Sequence, residues 1–186
     1  MILALDVGCG ESKRGTIGVD IGKFKGVDVV ADAHFLPFRS KVFDYIFFYH
    51  VLEHVEQPIR AVREVFRALK DGGGLEVQVP KDSRMKSDII AHFLDFDFKA
   101  AFRQYNFLKS GAHKWQFSEK GLISLLRKQG FLINSIKYVA KPVTYGRKGK
   151  LLFRVGIRRY RNVRIYAAKQ TASVSVREAY AQNTDD

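Results

Sequence analysis

Over the first fifty positions, apolar residues fall in short, nearly continuous runs. Residues 2–7, 16–19, 27–31 and 42–49 each read as a strand, and Asp6, Asp20 and Asp32 stand at or just past the ends of the first three. Runs with little polar alternation suit the strands of a parallel sheet covered on both faces. The period then changes. Pro58 stands where a first helical position belongs, and Ile59, Val62, Val65, Phe66 and Leu69 recur at helical spacing with Arg and Glu between them. Asp71-Gly-Gly-Gly74 is the expected stop of that helix, because glycine takes the left-handed conformation without steric cost. Residues 75–79 then form a fifth strand, closed by Pro80. The phenylalanine- and tyrosine-rich stretch 87–108 predicts a helix able to cover a site. Ser118 predicts the N-cap of a helix reaching Gln129, with Leu122, Leu125 and Leu126 apolar and Gly130 as its stop. Residues 131–139 and 161–167 read as two more strands. The polar, unpatterned residues 170–186 predict a frayed tail.

Strands alternating with helices define an α/β fold. The expected architecture is a Rossmann-like, mostly parallel seven-stranded sheet with helices on both faces. Residues 11–15 are too few for an ordinary crossover helix, so the first one is shortened or absent. The domain is expected over residues 1–169, followed by the tail 170–186. Ligands of such sheets bind at the carboxyl ends of the strands. Asp6, Asp20, Asp32 and the Tyr49-His50 pair all fall at predicted strand ends, so one ligand touching four consecutive strand ends is expected.

Composition changes this picture little. The chain has 186 residues, 46% of them hydrophobic, enough for one core without staples. Cys9 is the single cysteine, so no disulfide forms within the chain. No apolar run approaches the length of a membrane span, and the first residues resemble a core strand rather than a signal peptide. A cytoplasmic protein is the expectation. Charge adds more. The net charge is +13, and residues 120–177 hold fifteen Lys and Arg with no Asp or Glu. Such a stretch favours polyanionic or acidic partners, or serves only as a solvated face.

Three glycine-loop chemistries compete for the turn Asp6-Val7-Gly8-Cys9-Gly10. A dinucleotide fold needs a third glycine where Lys13 stands, and an acidic residue about twenty positions on, whereas Asp20 comes ten after Gly10. A phosphate-binding loop needs a lysine between Gly15 and Thr16, which is absent. S-adenosylmethionine carries no phosphate. It needs a glycine turn that lets backbone approach the methionyl part, a strand-end carboxylate for the ribose diol, and a polar group with an apolar slot for adenine. The 8–10 turn, Asp20, and Asp32-Ala33 with Ile21 and Phe35 supply these in order.

On these segments the chain resembles the class I methyltransferases, in the small-domain group that includes the ubiquinone and menaquinone biosynthesis methyltransferases. The matching segments are Leu5-Asp-Val-Gly-Cys-Gly10, Gly18-Val-Asp-Ile21, Ala31-Asp-Ala-His-Phe-Leu-Pro-Phe38, Val42-Phe-Asp-Tyr45, His50-Val-Leu-Glu-His-Val55, and Arg63-Glu through Leu69-Lys-Asp-Gly-Gly73. A later stretch, His113-Lys-Trp-Gln-Phe117 through Gly130-Phe131, is similar too. The resemblance implies that Gly8, Cys9 and Gly10 line the methionyl part while Asp6 orients the turn. It implies that Asp20 binds the ribose, Ile21 packs on adenine, and Asp32 accepts from the adenine amino group with Ala33 nearby. Tyr49 and His50 would face the sulfonium and the acceptor. Two features depart from the pattern. Ser12 replaces the usual third glycine, and the helices that commonly precede the first strand have no counterpart, which leaves room for a partner or self-association to cover an open site.

His50-Val-Leu-Glu-His54 also matches the inverted zinc-peptidase pattern. That pattern needs both histidines on one helix, whereas here the motif follows a strand, so no metal is assigned. His50 is the candidate general base, with pocket shaping as its alternative. His113, with Lys114 and Trp115, is a weaker candidate for substrate gating. The acceptor is expected to be a small molecule. The rival is RNA, held by the basic region 137–169, where Arg154, Arg158, Arg159, Arg161 and Arg164 lie among Phe153 and Tyr160, with Tyr145 upstream. A third possibility is a protein that binds the cofactor without catalysis.

Overall fold

The computed structural model describes residues 2–80, 113–140 and 160–170. The predicted helix 87–108, much of the basic stretch, and the tail beyond Gln170 lie outside the described residues. Seven strands form one sheet: β1 (Ala4–Val7), β2 (Ile17–Asp20), β3 (Val29–Val30), β4 (Phe43–Tyr49), β5 (Leu69–Pro80), β6 (Phe131–Ala140) and β7 (Tyr160–Lys169), in the order β3-β2-β1-β4-β5-β7-β6. Strands β1 to β5 pair in parallel. β7 runs antiparallel between β5 and β6. Helix α1 (Pro58–Ala68) connects β4 to β5, and α2 (Glu119–Lys128) precedes β6.

One face of the sheet is apolar. Leu5, Val7, Val19, Ile46, Phe48, Leu75, Val77 and Ile165 share a cluster with Ala61, Val62 and Val65 of α1 and Leu122 and Leu126 of α2. Each fully buried aliphatic side chain there contributes about 1.5–3 kcal/mol. Because side chains alternate along a strand, the intervening positions face the other way: Asp6, Tyr45, Phe47, Tyr49, Glu76, Gln78, Arg164 and Tyr166. Both described helices thus belong to the apolar face.

Pro58 is the first residue of α1, as its spacing predicts, and Ser118 caps α2, its Oγ accepting from the Gly121 N–H at 3.1 Å. Gly130 follows with φ 93°. β3 shortens from the expected 27–31 to Val29–Val30, and the end of α1 also differs from expectation. The helix ends at Ala68, and Leu69 is already extended at φ −70°, ψ 140°, so β5 begins before the glycines. Lys169 explains part of this. Its ammonium donates to the Phe66 and Leu69 carbonyls at 2.9 and 3.0 Å, satisfying the end of α1 from β7.

No helix joins β1 to β2, in line with the short spacing. The loop between them is tied down residue by residue instead. The Arg14 N–H donates to Asp6 at 2.7 Å, Lys13 pairs with Asp28 at 2.6 Å, and the Gly10 N–H donates to Asp20 at 2.9 Å. Gly18 permits this compact path: a Cβ there would lie 2.3 Å from the Gly26 carbonyl oxygen and 2.8 Å from Cys9 Sγ.

Candidate functional site

The strand order reverses at β1, which pairs β2 on one side and β4 on the other. A crevice opens outside the carboxyl ends of strands at such a point. Here it is a cavity of about 420 Å³, within the usual size of a small-ligand site. Of the sequence-predicted residues, Gly8, Asp20, Ile21, Asp32, Ala33 and His50 line it together. Asp6, Cys9, Gly10 and Tyr49 are not among its lining residues.

Gly8 holds the turn. Its φ is 73°, and a Cβ would lie 2.2 Å from Val51 Cγ2, so both conformation and space require glycine. The Gly8 and Cys9 N–H groups both donate to the Val19 carbonyl, at 2.7 and 3.2 Å, drawing the turn onto β2. Asp20 accepts from Gly10 with Oδ2 and from Gly22 with Oδ1 at 3.2 Å. Two carboxylate oxygens offer about four acceptor positions, so Asp20 can take a diol as well. Ile21 is 75% exposed at the cavity edge, an apolar surface available to a planar ring. Phe35, grouped with it by sequence, lies instead beneath the Arg60 guanidinium, 3.8 Å from its ring centre.

His34, within the 31–38 segment, has no role implied by the resemblance. It lines the cavity and links two elements. Its Nδ1 lies 2.5 Å from Asp32 Oδ1, and its Nε2 accepts from the Gln57 N–H at 3.1 Å, ahead of α1. That pair of bonds assigns the proton to Nδ1. Burial pushes the Asp32 carboxyl up, but hydrogen bonds from the His34 N–H and ring outweigh it, and the net shift is downward. Asp32 is therefore a fixed acceptor on the cavity wall. No sequence period marks His34; a histidine two residues after a strand-end aspartate was the available signal.

The non-lining residues serve the frame. Asp6 is fully buried, binds Arg14, and leaves Oδ1 without a hydrogen bond. Burial raises its pKa against the lowering effect of Arg14. Asp6 thus anchors the 11–15 loop through Arg14, whereas the resemblance implies that it orients the 8–10 turn. Cys9 Sγ packs 3.4 Å from the Gly26 carbonyl oxygen. Tyr49 is buried on the polar sheet face, its hydroxyl donating to Glu76 and its ring lying between the Arg14 and Arg164 guanidinium groups at 4.6 and 4.8 Å. Burial, then the Glu76 hydrogen bond, drives the Tyr49 pKa upward. The Tyr45 hydroxyl, 3.2 Å from the same carboxylate, is pushed up to about 12, chiefly by burial.

His50 connects this network to the cavity. Its backbone is left-handed at φ 56°, and its N–H donates to the Gln78 carbonyl at 2.9 Å. Arg164 donates to Gln78 Oε1 at 2.8 Å, which turns the Gln78 amide nitrogen toward His50 Nε2, also at 2.8 Å. His50 Nδ1 lies 3.1 Å from Glu53 Oε1. The consistent tautomer carries its proton on Nδ1, and the Nε2 lone pair accepts from Gln78. Of the five arginines named in the basic region, Arg164 is the one whose side chain is described, and it is engaged with Gln78, Glu76 and Tyr166.

The His113-Lys-Trp segment docks on the same loop. The Lys114 and Trp115 N–H groups donate to the Glu53 carbonyl at 2.7 and 3.1 Å, and the indole N–H donates to the Val55 carbonyl at 2.9 Å. Burial and neighbouring His54 lower the His113 pKa.

Sheet order and crevice define an α/β protein with a cavity of small-ligand size at the carboxyl ends of its strands. The chain belongs to the methyltransferase-domain family, whose model matches residues 4–136. An uncharacterized protein of Methanocaldococcus jannaschii, MJ0638, is 36% identical over 109 residues, covering 50% of this chain and 48% of its own. The chain thus spans about half the length of that curated relative. Among solved structures, an S-adenosylmethionine-dependent methyltransferase of Thermotoga maritima, described as a possible histamine N-methyltransferase, is similar with a TM-score of 0.63 and 22% identity over 91% of this chain and 83% of that one. A putative methyltransferase of Haloferax volcanii, in complex with the Trm112 methyltransferase activator, has a TM-score of 0.61 and 13% identity over 91% and 83%. These likenesses establish the shared fold. No helix among the described residues is long and apolar enough to cross a membrane.

Proposed function

We propose that this protein transfers the methyl group of S-adenosylmethionine to a small-molecule acceptor. The supporting observation is the chemistry of the cavity wall. Among the described residues, Asp20, Asp32 and Glu56 line it against one lysine, Lys114, which is itself paired with Glu56. An acidic wall suits a cationic, phosphate-free nucleoside and opposes a pyrophosphate. Asp20 would hold the ribose, Asp32 the adenine amino group, Ile21 and Ala33 the ring, and the Gly8 turn the methionyl part. The cofactor supplies a methyl activated by its sulfonium. The chain's own contribution is chiefly orientation. His50, tethered by Glu53 and Gln78, shapes the wall where the acceptor approaches, and its engaged Nε2 favours positioning over proton abstraction.

The test is thermal unfolding with S-adenosylmethionine, its demethylated product or NAD. Either of the first two should stabilise the protein. A larger shift with NAD, or none with any, would remove the reading. Labelled methyl transfer in a lysate, followed by size separation, then separates small-molecule from RNA acceptors, and label confined to RNA would overturn the acceptor class.

A further inference from the structure

Beside the cavity, Glu53, His54 and His113 bring one donor atom each to within 4.8 Å of one another. The segments are fixed from both sides. Backbone bonds from residues 114 and 115 to the Glu53 carbonyl hold the two stretches together, and the His54 and His113 rings lie 4.8 Å apart, edge to face. Glu53 is the telling residue. It is 1% exposed, its Oε1 is engaged with His50 Nδ1, and its Oε2 is buried without any hydrogen bond. A carboxylate oxygen enclosed in this way calls for a cation. Lys114, whose backbone N–H donates to the Glu53 carbonyl, has its ammonium committed to Glu56.

We propose that Glu53, His54 and His113 bind a divalent transition-metal ion. Two imidazoles and one carboxylate form a borderline donor set suited to Zn²⁺, Co²⁺, Mn²⁺ or Fe²⁺ rather than to Ca²⁺, which prefers an all-oxygen shell. Donors about 2.1 Å from one ion lie about 3–4 Å apart, so the side chains need to close by about 1 Å. His50 is not a ligand. It orients Glu53 from behind, as outer-shell groups commonly orient metal-binding carboxylates. The ligand set therefore differs from the one the inverted zinc-peptidase pattern implies, because the motif lies in a turn and its third donor comes from residue 113. Three protein donors leave coordination positions open. His54 also lines the cofactor cavity, so an oxygen of the acceptor can complete the shell; that last step rests on the methyl-transfer reading, whereas the ion site does not.

The experiment is titration of metal-free, full-length protein with Co²⁺, followed by visible absorption, with Ca²⁺ as the control ion. Saturation at one Co²⁺ per chain is expected, with affinity reduced at least tenfold in His54→Asn and in His113→Asn. X-ray absorption of the Zn²⁺-loaded wild type should show two imidazoles, a readout that does not depend on the variants folding. Absence of saturable 1:1 binding, affinity unchanged in both variants, or a zinc shell lacking two imidazoles would each overturn the proposal. S-adenosylmethionine binding to the metal-free protein is measured alongside. Cofactor binding without Co²⁺ binding defeats the ion site alone, and Co²⁺ binding without cofactor binding defeats the methyltransferase reading alone.

Discussion

At His50 a left-handed backbone, a buried glutamate and a glutamine amide converge on one imidazole. General-base catalysis typically contributes 10²–10⁴-fold, so the role of this residue can be measured. With Nε2 accepting from Gln78, His50→Asn, which tolerates φ above zero, is expected to slow methyl transfer by less than about tenfold. The pH profile should keep its shape. A hundredfold loss, with disappearance of a limb of the pH profile, would make His50 the base after all. Asp20 is tested separately. Asp20→Asn keeps the residue's size but removes its charge, and should weaken S-adenosylmethionine binding by at least about tenfold, about 1.4 kcal/mol. Calorimetric titration checks it; unchanged affinity would take Asp20 out of the ribose site. The places of Gly8, Asp20 and Asp32 on the cavity wall were legible because each falls at a strand end, where residue type and position coincide. Tyr49 differs for a related reason. It also ends a strand, but alternation turns its side chain to the sheet face, and no sequence period told which side of β4 meets the ligand.

Between elements, α1 does more than cover the sheet. Arg67 donates to the Leu36 and Phe38 carbonyls at 3.0 and 2.7 Å and to Glu64 at 2.8 and 2.9 Å, while Glu64 accepts from the Leu36 N–H at 2.9 Å. This knot pins the 31–42 loop that carries Asp32 and His34. Hydrogen bonding to Arg67 is the main reason the Glu64 carboxyl is held below its ordinary value of 4.5. A depressed folded-state pKa stabilises above the unfolded value, and that stabilisation is lost as pH falls through the folded one. Glu64→Gln should therefore cost about 1 kcal/mol at pH 7 and flatten the fall in stability below pH 4.5, as denaturant unfolding at several pH values would record. An equal acid slope in both proteins would contradict it. At the other wall, Gly8→Ala combines left-handed strain with a collision at Val51, and should destabilise by about 3 kcal/mol. A midpoint within error of wild type would show that the turn relaxes. Helix starts at Pro58 and Ser118 were readable from local chemistry. The early end of α1 was not, because Lys169, a hundred residues away, satisfies its last carbonyls.

For the molecule as a whole, the mostly parallel α/β sheet follows from patterns a reader of the sequence can find, namely strand runs, the short 8–15 connection and the α1–β5 unit, whereas the strand order and its reversal at β1 come from the structure. The polar sheet face with Glu76, Gln78 and Arg164 was not foreseen, since alternation in runs this apolar is weak and the basic stretch suggested solvent or RNA for Arg164. The acidic cavity at the β1 switch point is proposed to hold S-adenosylmethionine. The most direct test is the unfolding midpoint of the purified chain with and without that ligand. At a hundredfold excess over the dissociation constant, stabilisation of about 2.7 kcal/mol is expected, absent with NAD and much reduced in Asp20→Asn. A midpoint unmoved by S-adenosylmethionine and its demethylated product, in protein shown to be folded, would contradict the account.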